Sequence, residues 1–261
     1  MRRRFSGPRP EVRAVPALTA AVVALGVFFG GFVKATLGLG FGVASTPILS
    51  LVLNPRLAIT ILSIPSFVSS LWVAAQATRN WQALRPLGPL IIGILPGVIL
   101  GAWALKVLPI RWVQLMVGIL VVSYVATTLF NPEFQLPAGL VKPVGFIVGI
   151  VTGVLVSLGN IAGPILAIYL RSIGYVKLDF VFGVGAILTI STGGQVLSYA
   201  VTGLLGPTEA LYGLLACIPL AIGMMLGFAF QARLSVQAYN RVLLTALFLL
   251  GLNLIVTGLV G

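Results

Sequence analysis

Long stretches without charged residues dominate the sequence. Nine of them hold at least 20 residues each: 14–33, 35–55, 57–78, 86–105, 112–132, 143–170, 180–208, 210–232 and 242–261. Since an α-helix rises about 1.5 Å per residue, about 20 residues cross the roughly 30 Å hydrocarbon core of a bilayer. A run such as LIIGILPGVILGAW is apolar on all sides, whereas the strands of a transmembrane barrel alternate between polar and apolar positions. The pattern predicts an all-α polytopic membrane protein.

These stretches fall into two halves on either side of the polar connection NPEFQLPAGLVKP. We expect a basic N-terminal tail at 1–14, a first membrane repeat at 15–130, a connecting loop at 131–139 and a second membrane repeat at 140–261. Each repeat is predicted to have four helical elements. They are 15–53, 57–78, 86–106 and 111–130 in the first repeat, and 140–172, 178–203, 208–230 and 238–260 in the second.

The openings of the two halves share an unusual order of residues. The first reads GFVKATLGLGFGVASTPILSLVL and the second GIVTGVLVSLGNIAGPILAIYL. In both, an early glycine is followed by a Leu-Gly pair, Leu39-Gly40 or Leu158-Gly159, and then by Pro-Ile-Leu. This shared order predicts an internal duplication.

Each opening element is too long for one straight crossing and is interrupted by glycines and a proline. A helix broken inside a bilayer leaves backbone groups without partners, at a cost of several kcal/mol each. In secondary transporters, paired breaks at matching places in two repeats mark the substrate site. We therefore predict that each repeat opens with a broken or re-entrant helix. The alternative is that the glycines serve only close helix packing, and parallel and inverted repeats both stay open.

Lys34 is the one cation within the glycine-rich run GGFVKATLGLGFG. A lysine near the bilayer centre costs about 2.5 to 3.5 kcal/mol on insertion scales. It therefore either extends to the headgroups or lines a site. No carboxylate lies in the middle of a predicted helix to pair with it, so an anion from solution is the natural partner. The positive end of a half-helix beginning near Phe41 would assist that anion.

The composition agrees with a membrane protein, because 59% of the residues are hydrophobic and 8% are charged. The net charge of +12 comes from basic residues scattered over the tail and the loops. We attribute them to anionic lipid and not to nucleic acid. The five arginines of the tail and the basic residues of the loops predict opposite orientations, so the orientation stays open.

The absence of histidine and the presence of only four acidic residues exclude most membrane enzymes. No clustered ligand set exists for zinc, haem or an iron–sulfur centre, and no paired aspartates exist for an intramembrane protease. There is no phosphate-binding loop to drive an ATP-powered pump. A Ser-Lys dyad lacks a supporting serine motif. We therefore expect no catalytic residue, no cofactor and no bound metal.

Polar residues inside the apolar segments concentrate in the second element of each half. Serine and threonine hydroxyls often bond to a carbonyl of their own helix, but amides such as Asn160 and Gln195 are harder to satisfy there. Lys34 would neutralise the substrate, glycine N–H groups at the breaks would bind it, and Gln195 with nearby hydroxyls would complete the shell. The candidate substrate-binding residues are Lys34, Gly38, Gly40, Gly42, Ser66, Gly159, Asn160, Gly163, Thr192 and Gln195.

Both glycine-rich openings are followed by a short polar turn, NPRLAIT or GYVKLDF, and then by a helix bearing serine or threonine. From about residue 18 to 260, this order resembles the sulfite exporter TauE/SafE family of bacterial membrane transporters. The resemblance implies a multi-pass secondary transporter of the cytoplasmic (inner) membrane that moves sulfite, organosulfonates or similar organosulfur or carboxylate anions by alternating access. The second opening has SLGNIAGP in place of the family's consecutive glycines, which leaves the exact substrate open.

Two other functions stay open from the sequence: an anion channel and a non-transporting membrane assembly factor. The expected partners are a small anion and the lipid bilayer, with no nucleic acid. Homo-oligomerisation, the coupling ion and the direction of transport are not determined by these patterns.

Overall fold

The computed structural model describes residues 17–76, 81–109, 135–175 and 177–231, together with single helical positions between 111 and 126 and between 245 and 259. The described residues form helices joined by short turns, and no strand occurs among them. Six helical stretches of the described chain are long and apolar enough to cross a membrane. The predicted all-α multi-pass membrane fold is confirmed. The predicted basic tail lies outside the described residues, as does most of the fourth element of each half.

The helices follow the same order in both halves: one long helix, a helix of 10 residues, and two further long helices. The first half contains α1 (Ala17–Leu37), α2 (Phe41–Ser50), α3 (Pro55–Gln76) and α4 (Gly88–Val107), with a 3-10 helix at Trp81–Leu87. The second half contains a 3-10 turn at Ala138–Leu140, then α5 (Val141–Gly159), α6 (Gly163–Ser172), α7 (Lys177–Thr202) and α8 (Pro207–Gln231).

The break between α1 and α2 depends on two glycines in the left-handed region. Gly38 has φ 76° and Gly40 has φ 96°, values that residues with a Cβ rarely adopt. The Gly38 N–H still bonds to the Lys34 carbonyl at 2.7 Å, which closes the last turn of α1. The chain then reverses within three residues, and α2 begins at Phe41.

α2 runs back along α1 and does not continue across the membrane. Gly30 of α1 faces Ser45, and Gly26, one turn earlier in α1, faces Leu49, which is later in α2. A Cβ on Gly26 would lie 2.7 Å from Leu49 Cδ1, so the glycine permits this close approach. Earlier residues of α1 thus contact later residues of α2. The two helices are therefore antiparallel and form a re-entrant hairpin.

The second half contains an equivalent hairpin. α5 ends at Gly159, Asn160 adopts φ 58°, and α6 begins at Gly163. Tyr169, near the end of α6, donates a hydrogen bond of 3.0 Å to the carbonyl of Val141 at the start of α5. α6 therefore also folds back along the helix that precedes it, and both predicted breaks are confirmed.

The two halves run in opposite directions. Gly185 of α7 packs against Ala74 of α3, whereas Gly193, further along α7, packs against Phe67, which is earlier in α3. The third helices of the two halves are therefore antiparallel, which is the arrangement of inverted repeats.

The remaining contacts repeat with the halves exchanged. α1 packs against α8 of the other half, and α4 packs against α5. Glycines make both contacts close: Gly223 meets the backbone of Phe28, and Gly97 meets the backbone of Ile150. Many glycines thus serve helix packing, as the alternative interpretation proposed. Gly38 and Gly40 differ, because their positive φ values allow the chain to reverse direction at the first break.

Candidate functional site

Lys34 lies in the last turn of α1 and points into the protein. Its side chain is only 2% exposed. The ammonium donates hydrogen bonds to the Ser70 hydroxyl at 2.6 Å and to the Ser66 carbonyl at 3.4 Å, both on α3. It also lies 5.9 Å from the centroid of the Phe41 ring. The interpretation that Lys34 extends to the lipid headgroups is therefore wrong for this structure.

Both hydrogen-bond acceptors of Lys34 are neutral oxygens. The acidic residues of the described helices, Asp179 and Glu209, lie in the first turns of α7 and α8. An ammonium has three N–H donors, and burial makes a cation costly unless an opposite charge compensates it. A protonated Lys34 would therefore have an uncompensated charge and a spare N–H donor, and a bound anion would satisfy both.

A small cavity adjoins the Lys34 ammonium. It lies where the two re-entrant hairpins meet α3 and α7, so both halves of the protein contribute to its wall. The residues that line it are Lys34, Gly40, Phe41, Ser66, Ser70, Val156, Asn160, Gly163, Leu188 and Thr192.

Equivalent residues of the two halves differ by 122 in number, because Phe41 and Gly163 begin the short helices and Pro55 and Lys177 begin the helices that follow. This correspondence relates four pairs of residues that line the cavity. They are Lys34 with Val156, Phe41 with Gly163, Ser66 with Leu188, and Ser70 with Thr192. The cavity therefore lies at the approximate two-fold axis that relates the inverted halves.

The same correspondence pairs Gly38 with Asn160, the two residues with positive φ at the ends of α1 and α5. Gly40 then corresponds to Ala162. The sequence comparison had aligned Gly40 with Gly159. The register of the Leu-Gly pairs therefore differs from the register of the helices, because a helix end is defined by backbone conformation more strictly than by residue type.

The two breaks contact each other directly. A Cβ on Gly42 would lie 2.6 Å from the Asn160 carbonyl oxygen and would also overlap the carbonyl of Gly159. A Cβ on Gly163 would lie 2.9 Å from Leu39 Cβ in the first break. The two breaks therefore face each other.

Asn160 brings an unused amide to the cavity. Both its side-chain nitrogen and its side-chain oxygen are buried, and neither has a hydrogen-bond partner among the described residues. The cost of burying such a polar group without a partner is about 1–3 kcal/mol. An asparagine amide offers a donor and an acceptor together, so this side chain can serve a ligand with either kind of group.

The start of α2 supplies a second source of donors. Its N-cap residue is Gly40, which has no side chain to cap the helix. The first N–H groups of a helix have no partner within it and carry the positive end of its dipole. Gly40 and Phe41 both line the cavity, and the prediction of a half-helix beginning near Phe41 is confirmed.

Two hydroxyl groups at the cavity, those of Ser70 and Thr192, donate hydrogen bonds within their own helices. Ser70 donates to the Ser66 carbonyl at 2.7 Å, and Thr192 donates to the Leu188 carbonyl at 2.6 Å. Both bonds are the local helix contacts expected of serine and threonine in membrane helices. These hydroxyl oxygens consequently present lone pairs to their surroundings, and Ser70 uses one to bind Lys34.

Gln195 is fully buried behind the cavity and is not among the residues that line it. Its Nε2 donates to the Val156 carbonyl at 2.9 Å and to the Tyr199 hydroxyl at 3.1 Å. Tyr199 donates in turn to the Ser157 carbonyl. This network joins α7 to the last turns of α5, just as Lys34 joins the last turn of α1 to α3.

Six of the ten sequence-based candidates thus line one cavity: Lys34, Gly40, Ser66, Asn160, Gly163 and Thr192. Gly38, Gly42 and Gly159 shape the breaks, and Gln195 supports the wall. The candidate set did not include Phe41, Ser70, Val156 and Leu188. Ser70 could have been found from its spacing, since it lies four residues after Ser66 and therefore on the same helix face.

Comparison with known proteins gives one family. The family model described as sulfite exporter TauE/SafE matches residues 23–254, a range that includes both breaks and every residue that lines the cavity. No curated protein and no solved structure matches the chain.

Proposed function

Since the chain belongs to the sulfite exporter TauE/SafE family, we propose that it is a secondary transporter that binds a small anion in the cavity beside Lys34. The observation that carries this proposal is the ammonium of Lys34, which is 2% exposed and whose hydrogen bonds within the described part of the chain go to neutral oxygens. The substrate class is sulfite, organosulfonates or similar organosulfur or carboxylate anions. The role assigned to the chain is transport and not catalysis.

In this proposal, Lys34 supplies the positive charge for the substrate. The ammonium exchanges its contact with the Ser66 carbonyl for a stronger, charge-assisted hydrogen bond to the anion. The unused Asn160 amide and the first N–H groups of α2 complete the shell. All three groups come from the ends of broken helices, where the backbone is free to bind a solute.

Alternating access is the mechanism that the inverted halves favour. The cavity lies between the hairpins, and the antiparallel α3 and α7 contribute to its wall. Rocking of one half against the other would open the cavity first to one side of the membrane and then to the other. An anion channel requires a continuous open path, and the near-complete burial of Lys34 argues for a carrier.

The bacterial cytoplasmic membrane is the location we propose, with the lipid bilayer and the small anion as partners. The proposal is tested by an anion-binding screen on the purified protein, with sulfite, methanesulfonate, sulfoacetate and acetate as probes. We expect saturable binding of at least one sulfur oxyanion. Absence of binding by every probe would contradict the proposal and would favour a non-transporting assembly factor.

Proteoliposomes then separate a carrier from a channel. A carrier shows saturable uptake that is accelerated by substrate on the opposite side, whereas a channel shows unitary currents. Lys34→Gln should abolish uptake. Lys106→Gln is the matched control, because it removes the same charge from a lysine that is exposed and bonded to the Thr202 carbonyl at the end of α7.

A further inference from the structure

The cavity offers hydrogen-bond acceptors as well as donors. Lys34, Asn160 Nδ2 and the start of α2 present N–H groups. In the described part of the chain, the Asn160 side-chain oxygen has no partner, and the Thr192 hydroxyl donates its hydrogen bond within its own helix. Because an amide carries one donor group and one acceptor whichever way it is turned, Asn160 provides both in any orientation. A ligand composed only of acceptor oxygens leaves these acceptors unpaired.

The charge of the cavity is limited to one. Among the residues that line it, Lys34 is the only one that titrates, and the contributions of α3, α5, α6 and α7 are hydroxyl, amide, backbone or apolar groups. A dianion would bring one uncompensated negative charge into a buried site. It would also place that charge against the lone pairs of Thr192 and the Asn160 side-chain oxygen.

Resting on the proposed function, we infer that the transported species is a singly charged oxyanion that still carries one acidic proton, of which hydrogensulfite is the sulfur example. Its negative oxygens accept from Lys34 and from the start of α2. Its proton is donated to the Asn160 side-chain oxygen. This assignment makes Asn160 the residue that distinguishes a protonated oxyanion from a sulfonate, which has the same charge but no proton to donate.

The test compares sulfite with methanesulfonate on the full-length protein in detergent, from mildly acidic to mildly alkaline pH. Sulfite loses its second proton near neutral pH, whereas methanesulfonate is a monoanion throughout. Above that transition the fraction of hydrogensulfite falls about tenfold per pH unit. We expect the apparent sulfite affinity to fall in proportion. Methanesulfonate should bind more weakly than sulfite at acidic pH, and its affinity serves as the reference at each pH.

The ratio of the two affinities is decisive, because a change in the protonation of Lys34 with pH would affect both ligands together. If the affinity for sulfite relative to methanesulfonate stays constant or rises with pH, the inference is overturned while the proposed function stands. Failure of both ligands to bind at every pH overturns both. Sulfate, which is a dianion across the whole range, should not compete with either ligand.

Asn160→Gly provides the matched variant, since glycine accepts the φ of 58° at this position. It removes the amide and leaves the helix end unstrained. We expect the preference for sulfite over methanesulfonate at acidic pH to fall about tenfold or more, the worth of one hydrogen bond to a charged ligand. Methanesulfonate affinity should change by less. An unchanged preference would show that the Asn160 amide does not recognise the proton of the ligand.

Discussion

Gly42 lies directly against Asn160, so the first turn of one re-entrant helix touches the backbone of the opposite break. This contact joins the two inverted halves at the wall of the cavity. Added volume at this position would push the hairpins apart, since the atoms it meets are the carbonyl oxygens of Gly159 and Asn160. Backbone atoms cannot rotate away as the end of a flexible side chain can.

Gly42→Ala should therefore impair anion binding and transport more than it impairs expression. A single added methyl group meets fixed atoms, and overpacking of this kind typically costs about 1–3 kcal/mol. We expect the anion affinity to fall about fivefold or more. Titration calorimetry on the purified variant measures this change.

Gly159→Ala is the control for that variant. A Cβ there would meet only the Ile161 side chain, with its Cδ1 at 3.0 Å, and this side chain can move. We expect affinity and transport close to those of the original protein. Equal loss in both variants would show that the Gly42 contact has no special part in the site.

Much of the fold could be predicted from the sequence because the membrane restricts the choices. Uncharged runs of at least 20 residues identify the helices, and glycine-rich runs identify the places where helices end. The inverted direction of the halves could not be predicted in this way. It depends on whether α2 continues across the membrane or folds back, and packing of Gly26 and Gly30 against α2 decides this in favour of a hairpin.

The candidate site was predictable where a residue is unusual for its surroundings. Lys34 and Asn160 are costly in a membrane interior, so their presence alone indicated a site. Gln195 met the same criterion, yet the structure gives its Nε2 two acceptors within the protein. A sequence shows that a buried amide needs partners, but it does not show whether the protein or a ligand supplies them.

Ser70→Ala tests the contact that holds Lys34 in place. The ammonium would lose its 2.6 Å acceptor, and a hydrogen bond to a charged group contributes about 1.5–3 kcal/mol. We expect a lower melting temperature without anion and a smaller deficit at saturating anion, because the ligand replaces the lost partner. Thermal unfolding with and without sulfite measures both values.

Ser69→Ala is the control for this experiment. Ser69 is also buried and also donates to the Ser66 carbonyl, at 2.9 Å, but it is not among the residues that line the cavity. Its loss should lower stability by an amount that anion does not restore. A deficit of the Ser70 variant that is independent of anion would contradict the exchange of partners by Lys34.

Gln195→Leu should separate support of the wall from contact with the substrate. The substitution removes hydrogen bonds to the Val156 carbonyl and to Tyr199, so we expect a loss of about 1–3 kcal/mol in stability. Affinity for sulfite should change by less than about threefold, because Gln195 does not line the cavity. A large loss of affinity with normal stability would instead place Gln195 in the substrate shell, as the sequence suggested.

Lys34→Arg tests whether the site needs a compact ammonium or only a positive charge. Guanidinium is larger and planar, with five donors in a fixed geometry, and Lys34 lies between the Ser66 carbonyl, the Ser70 hydroxyl and the Phe41 ring. We expect Lys34→Arg to weaken anion binding about tenfold and Lys34→Gln to weaken it at least as much, since loss of a charge-assisted hydrogen bond costs roughly 1.5–3 kcal/mol. Calorimetry on both variants, with Lys106→Arg as the matched exposed substitution, measures the two effects. Affinity retained in Lys34→Arg but lost in Lys34→Gln would show that charge alone is required, and affinity retained in both would remove Lys34 from the site.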